Sequence, residues 1–187
     1  PGVAGATMNH TYHAFINEAG GIAIHSRIDN AGVNNFGIWK DVGAGLELVA
    51  QEGDVVPGLA FPLNAFDEYI LNEAGDVAFE ASLKNATSTT DRAHFNDAVG
   101  STALSINEGG TAPGSGAIFK VVQEEAFDSL GNSYSPAKLL IGTAAVTSAN
   151  DAGIWRKPAG ALEELAREGN PSPLAGINYG NIAGRVV

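Results

Sequence analysis

The sequence predicts an all-β fold of tandem four-stranded repeats, β-propeller-like and arranged as a partial ring or arc. Three observations carry that prediction. One phrase occurs three times, as Glu52-Gly53-Asp54-Val55-Val56-Pro57, Glu108-Gly109-Gly110-Thr111-Ala112-Pro113 and Glu168-Gly169-Asn170-Pro171-Ser172-Pro173, at spacings of 56 and then 60 residues. Self-similarity at a near-fixed period marks units that bury an apolar face against the next copy. Glycine is abundant, 24 of 187 residues, while only 17% of residues are charged, which favours tight turns over charged helix faces. Finally, Val77, Phe79, Ala81 and Leu83 alternate with smaller or polar residues, the period-two pattern of a half-buried strand.

The elements follow in order. Each copy of the phrase is preceded by an apolar stretch, 46–50, 102–106 and 162–166, and further upstream by an aromatic in register, Trp39, Phe95 and Trp155. A second phrase, Ile16-Asn17-Glu18-Ala19-Gly20 and Leu71-Asn72-Glu73-Ala74-Gly75, reads as a tight turn in which Asn bonds its own backbone and Gly supplies a positive φ. Strands are predicted after it at 21–28 and 76–83. In the second unit a strand near 66–71 precedes that turn, and a polar loop at 84–92, a strand around Phe95 and a strand at 102–106 follow. In the third unit Phe127-Asp128-Ser129-Leu130-Gly131-Asn132 is only a loose counterpart of the turn, and 138–146 is predicted to supply the next strand. Residues 162–168 favour helix by propensity, but their register with 46–52 argues for strand, and consistency among repeats outranks local propensity.

One repeat domain therefore spans 1–187, with units at 1–56, 57–112 and 113–172 and the start of a fourth at 173–187. Pro1-Gly2 matches Pro57-Gly58 and Pro113-Gly114, so the chain is expected to open on a repeat boundary, as a piece of a larger repeated protein. Propellers close with about four to eight blades, so three units form an arc or pair with another copy. The segment 181–187 is expected to supply a strand to a neighbour and cover an open edge.

Composition narrows the function classes. Ten basic against 21 acidic residues give a net charge of −11, which repels phosphate backbones and anionic lipid surfaces, so no nucleic-acid partner is expected. Apolar residues make up 44% of the chain, but the longest apolar run, 139–146, is far short of the ~20 residues of a membrane span, so no membrane insertion is expected. The absence of cysteine excludes disulfides and thiolate metal sites.

Gly37-Ile38-Trp39, Leu46-Glu47-Leu48-Val49-Ala50-Gln51-Glu52-Gly53-Asp54, Pro57-Gly58 and Leu71-Asn72-Glu73-Ala74-Gly75-Asp76-Val77-Ala78-Phe79 together resemble an uncharacterised tandem-repeat family of large secreted bacterial surface proteins. Gly153-Ile154-Trp155 and Leu165-Ala166-Arg167-Glu168-Gly169 repeat the pattern. The resemblance covers nearly the whole chain, most weakly at 115–150. It implies an extracellular or cell-surface, propeller-like protein and supplies no catalytic residues.

Candidate sites compete with structural roles. A row of Trp39, Phe95 and Trp155 could stack on sugar rings, but recurrence at one position in every unit is what a repeat core requires. Glu52, Asp54 and Glu108 are metal candidates, calcium being the cation that favours loop carboxylates, although no calcium-loop signature is present. The histidines are His10, His13, His25 and His94; His10-x-x-His13 with a distant third could hold zinc, but a strand or loop lacks the helical geometry that brings two rings together. No nucleophile elbow or phosphate loop is present. Asn9 and Asn85 head glycosylation triplets and are expected in loops.

The leading functional expectation is an extracellular structural or binding module, acting through loops and contacts between units, with no catalytic residue and no resident cofactor. Its expected partners are copies of itself, further repeats, or a glycan or protein ligand. The alternatives are a subunit of a self-assembling extracellular filament and part of a propeller enzyme acting on glycans.

Overall fold

A computed structural model describes residues 7–29 and 36–182. Thirteen strands and no helix occur among them, grouped into three antiparallel sheets in sequence order, none closed into a barrel. The first contains β1 (Thr7–Ile16), β2 (Ile22–Asp29), β3 (Phe36–Asp41) and β4 (Glu47–Gln51). The second contains β5 (Leu63–Leu71), β6 (Val77–Leu83), β7 (Arg92–Asn96) and β8 (Ala103–Asn107). In the third, β9 (Phe119–Val122) and β10 (Ala126–Phe127) both pair with β11 (Ser133–Leu139), followed by β12 (Ala152–Lys157) and β13 (Glu163–Arg167). The chain is an all-β arc of repeated up-and-down sheets, each packed on the next: β5 meets the first sheet, and β9 and β10 meet the second. Expectations placed on 1–6 and 183–187, the opening Pro-Gly and most of the terminal strand, lie outside the described residues.

Two elements differ from the sequence reading. Residues 163–167 are strand, as register required, but the strand expected at 138–146 begins at Ser133 and ends at Leu139. The apolar run misleads because Gly142, Ala144 and Ala145 all have positive φ, and 140–146 winds through consecutive tight turns that insert Val146 into the core. Asn9 is also in β1 and not in a loop, with its amide on the Asp29 carboxylate at 2.9 Å, whereas Asn85 is in an exposed turn.

The turn phrase does two jobs. Asn72 N–H donates to the Asp76 carbonyl and its side-chain oxygen accepts from Asp76 N–H at 2.8 Å, closing the turn through Gly75 at φ 88°. Asn17 and Asp128 build the same turn in their sheets. The amide of Asn17 also donates to the Asn72 carbonyl at 2.8 Å, and that of Asn72 to the Asp128 carbonyl at 2.8 Å, so a ladder of side-chain amides joins the three turns. Asn72→Asp keeps the turn acceptor and removes the donor to the third sheet. It is expected to cost about 1–2 kcal/mol, read as a lower denaturant midpoint at unchanged slope.

Trp39, Phe95 and Trp155 are 1%, 0% and 0% exposed. Phe95 packs in the core between the first and second sheets, with Phe79 stacked on it at 5.1 Å, and Trp155 in the core between the second and third, with Phe119 edge-on at 4.9 Å. Each tryptophan ring lies beside the residue two before it. A Cβ on Gly37 would stand 2.7 Å from the Trp39 ring, and one on Gly153 2.8 Å from that of Trp155, while the smaller Phe95 coexists with Ala93. These glycines are required by space, since neither has a positive φ.

Candidate functional site, the joints between sheets

The thrice-repeated Glu-Gly phrase is the joint. Gly53 N–H donates to the Leu63 carbonyl and Leu63 N–H to that of Asp54; Gly109 with Phe119, and Gly169 with Tyr179, do the same. Each phrase thereby captures the segment ten residues ahead, at the start of the next unit. The glutamate side chain adds a second tie. Glu168 accepts from Ala152 N–H at 3.4 Å and, through its other oxygen, from Ile182 N–H at 2.9 Å, and Glu52 accepts from Phe36 N–H at 3.2 Å. The Glu108 carboxyl is placed near Val122 N–H, at the same fourteen-residue offset as Glu168 to Ile182, while burial first and the nearby Asp91 charge second push it above the usual range.

The metal candidates are therefore placed in successive joints and not brought together. Glu52 holds Phe36, Asp54 accepts from Gln51 N–H at 2.7 Å, and Glu108 lies one joint further on. Among the described residues no group of three His, Asp or Glu is arranged to hold a metal ion. His10 packs edge-on to Tyr12, and His13 stacks on Tyr69.

The two joints are built alike but filled differently. Strand pairing matches them position by position, because Ser26, Ala81 and Ala137 sit opposite Gly37, Ala93 and Gly153 in their respective sheets. At the first joint His25, Ile38 and Val49 of one sheet meet Tyr69, Val77 and Phe79 of the other, and Ile38, Tyr69, Val77 and Phe79 lie in one apolar core. The corresponding residues at the second joint are Glu80, His94 and Ser105 against Glu125, Ser133 and Ser135. An apolar contact has become a buried polar cluster.

Two of its contacts cross the joint, those of Asn96 with Ser133 and of His94 with Ser135. Asn96 Nδ2 donates to Ser105 and Ser133, each at 3.0 Å, and His94 Nδ1 lies 3.3 Å from Ser135 Oγ. His94 Nε2 stands 3.5 Å from Glu80, which also pairs with Arg92, itself 2.7 Å from Asp67. Glu125 has no such balance. It occupies the gap between β9 and β10, where the strand bulges. Both its carboxylate oxygens are closed off from solvent, with no donor at hydrogen-bonding geometry among the described residues.

Protonation follows from these surroundings. Burial pushes Glu125 up to about 7; the His94 charge and the nearby Ser133 and Ser105 hydroxyls only partly oppose it. Burial alone would lower His94, but Glu80 beside it and the charges of Glu125 and Glu68 outweigh that and raise it. Burial likewise acts to raise Glu80, and is outweighed by His94 and Arg92, which hold it below the usual range. Two carboxyls are thus driven apart around one imidazole, a pattern common where protons are handled. A cavity of about 10 Å³, enough for one water and lined by Glu68, Tyr69, Phe79, Glu80 and Glu125, adjoins them.

His94 was visible in the sequence as a histidine, but Glu80 and Glu125 were missed. The signal was Ala93-His94-Phe95 read against Gly37-Ile38-Trp39 and Gly153-Ile154-Trp155, which places a histidine where the other repeats hold isoleucine.

A family of unknown function, DUF7453, matches residues 1–186. The chain belongs to that family. No curated protein matches this family member. The joints and the polar cluster described above therefore lie wholly within the family's matched region.

Proposed function

We propose that the chain is a structural and binding module of an extracellular or cell-surface protein, working through its turns and through contacts between sheet faces. The observation that carries this reading is the use made of its repeated acidic residue: Glu52 and Glu168 hold backbone N–H groups at the joints, and Glu108 is placed near one. Residues that recur for packing leave function to what varies between them, the loops and the faces. The resemblance to secreted tandem repeats supports the location, and the partners are further repeats, a second copy, or a glycan or protein ligand. Light scattering over a concentration series tests it. Association into a discrete oligomer or an open ladder supports contact through sheet faces, the ladder favouring the filament form; a monomer at every concentration, with no retention on glycan or protein arrays, rejects the reading.

One observation favours a second reading, an enzymatic part of a closed propeller acting on glycans: Glu68, Glu80 and Glu125 line a common cavity. At about 10 Å³ it admits a water and no sugar ring, so this reading requires the joint to open.

A further inference from the structure

We propose that the joint between the second and third sheets is a pH-responsive hinge, shut in mild acid and loosened as the medium turns alkaline. This inference stands on the polar cluster and does not depend on the location or partners given above. At matching positions the first joint has an apolar core, so the architecture does not require polar groups there. Charged groups face the cluster from three strands and one connection, Asp67 and Glu68 on β5, Glu80 on β6, Arg92 and His94 on β7, and Glu125 between β9 and β10, while β8 and β11 supply neutral groups. Asn96, Ser105, Ser133 and Ser135 are the neutral partners.

In mild acid the charges nearest the joint are paired. Protonated His94 faces ionised Glu80, Arg92 is shared between Glu80 and Asp67, and Glu125 is uncharged. Raising the pH removes the imidazolium proton and ionises Glu125, leaving two carboxylates beside a neutral ring, one of them buried without a donor. A buried charge without a partner is relieved by admitting water, and water reaches Glu125 most directly if the sheets part. Both groups bind protons more tightly in the closed form, so closure is favoured at low pH and weakened as pH rises. The first joint behaves oppositely: burial, with the His13 charge, lowers His25, so acid weakens that contact.

Amide exchange of the unmodified chain, followed by NMR between about pH 5 and 8, tests the hinge. Gly109 and Phe119 N–H groups span the second joint, and those of Gly53 and Leu63 span the first at equivalent positions. Taking the ratio of protection at the two joints removes the intrinsic pH dependence of exchange. The ratio is expected to fall roughly tenfold or more toward pH 8, the factor of one linked pH unit, and the fall should shrink in Glu125→Gln. A flat or rising ratio overturns the proposal, as does an undiminished fall in that variant. If Glu125→Gln does not fold, the protection of Gly109 and Phe119 in the unmodified chain, corrected for intrinsic exchange, decides: a fall toward pH 8 supports the hinge and a flat or rising value overturns it.

Discussion

Gly37→Ala is expected to lower stability by about 2–3 kcal/mol, the upper range for forcing a methyl group into a filled site. The added Cβ would stand 2.7 Å from the Trp39 ring and 3.0 Å from the Ala50 carbonyl, distances the ring cannot accommodate while buried. The second sheet shows the compensated arrangement, Ala93 with Phe95. Trp39→Phe alone is expected to cost about 1–2 kcal/mol through the space it leaves, the scale of modest large-to-small changes in cores. Combined with Gly37→Ala it should give a chain more stable than Gly37→Ala by itself, because the methyl fills that space. Denaturant melts of the two single variants and the double give the coupling directly. Strictly additive losses would mean that the ring does not set the requirement for glycine.

Glu125→Gln is expected to stabilise the chain by about 2–3 kcal/mol at pH 8 and to change it little at pH 5. The sign follows from linkage. A carboxyl raised from 4.5 to about 7 in the folded state holds its proton more tightly there, so its contribution is fully present below 4.5 and is lost as pH rises through about 7. Glutamine keeps the shape and stays neutral, so the cost of ionising in the fold, roughly 1.4 kcal/mol for every tenfold change in proton affinity, disappears. His94 has the same sign, its contribution present below 6.5 and lost above its raised folded value. Glu80, held low, works in the other direction, and only in acid below 4.5. Denaturant midpoints for both chains at the two pH values check this. Equal stabilisation at pH 5 and pH 8 would show that the Glu125 carboxyl is not raised in the fold.

The strands were legible because their signals are local and repeated. Alternation at 77–83 and the twice-stated Asn-Glu-Ala-Gly turn need only neighbours in sequence, and recurrence decided 163–167 against its own helical propensity. The 140–146 error arose where recurrence fails: two alanines adopt a conformation that glycine or asparagine would have signalled. The joints were legible as turns but not as joints. A glutamate that reaches a backbone N–H fourteen residues ahead leaves no mark at the far end, because every residue except proline has that group. The polar cluster fared worst, since its members come from separate strands and become suspicious only when each is compared with the apolar residue that fills the same slot one repeat earlier.

The amide ladder has a direction. Asn17 gives to Asn72 and Asn72 gives to Asp128, but a carboxylate at 128 has no hydrogen to hand on, and its oxygens already receive Asn132 and Tyr134. Under tension, then, the array is not equally strong along its length. Any sheet succeeding the third would be retained by Glu168 and Gly169 without that rung, making the seam beyond Asp128 the place where a pulled chain yields first.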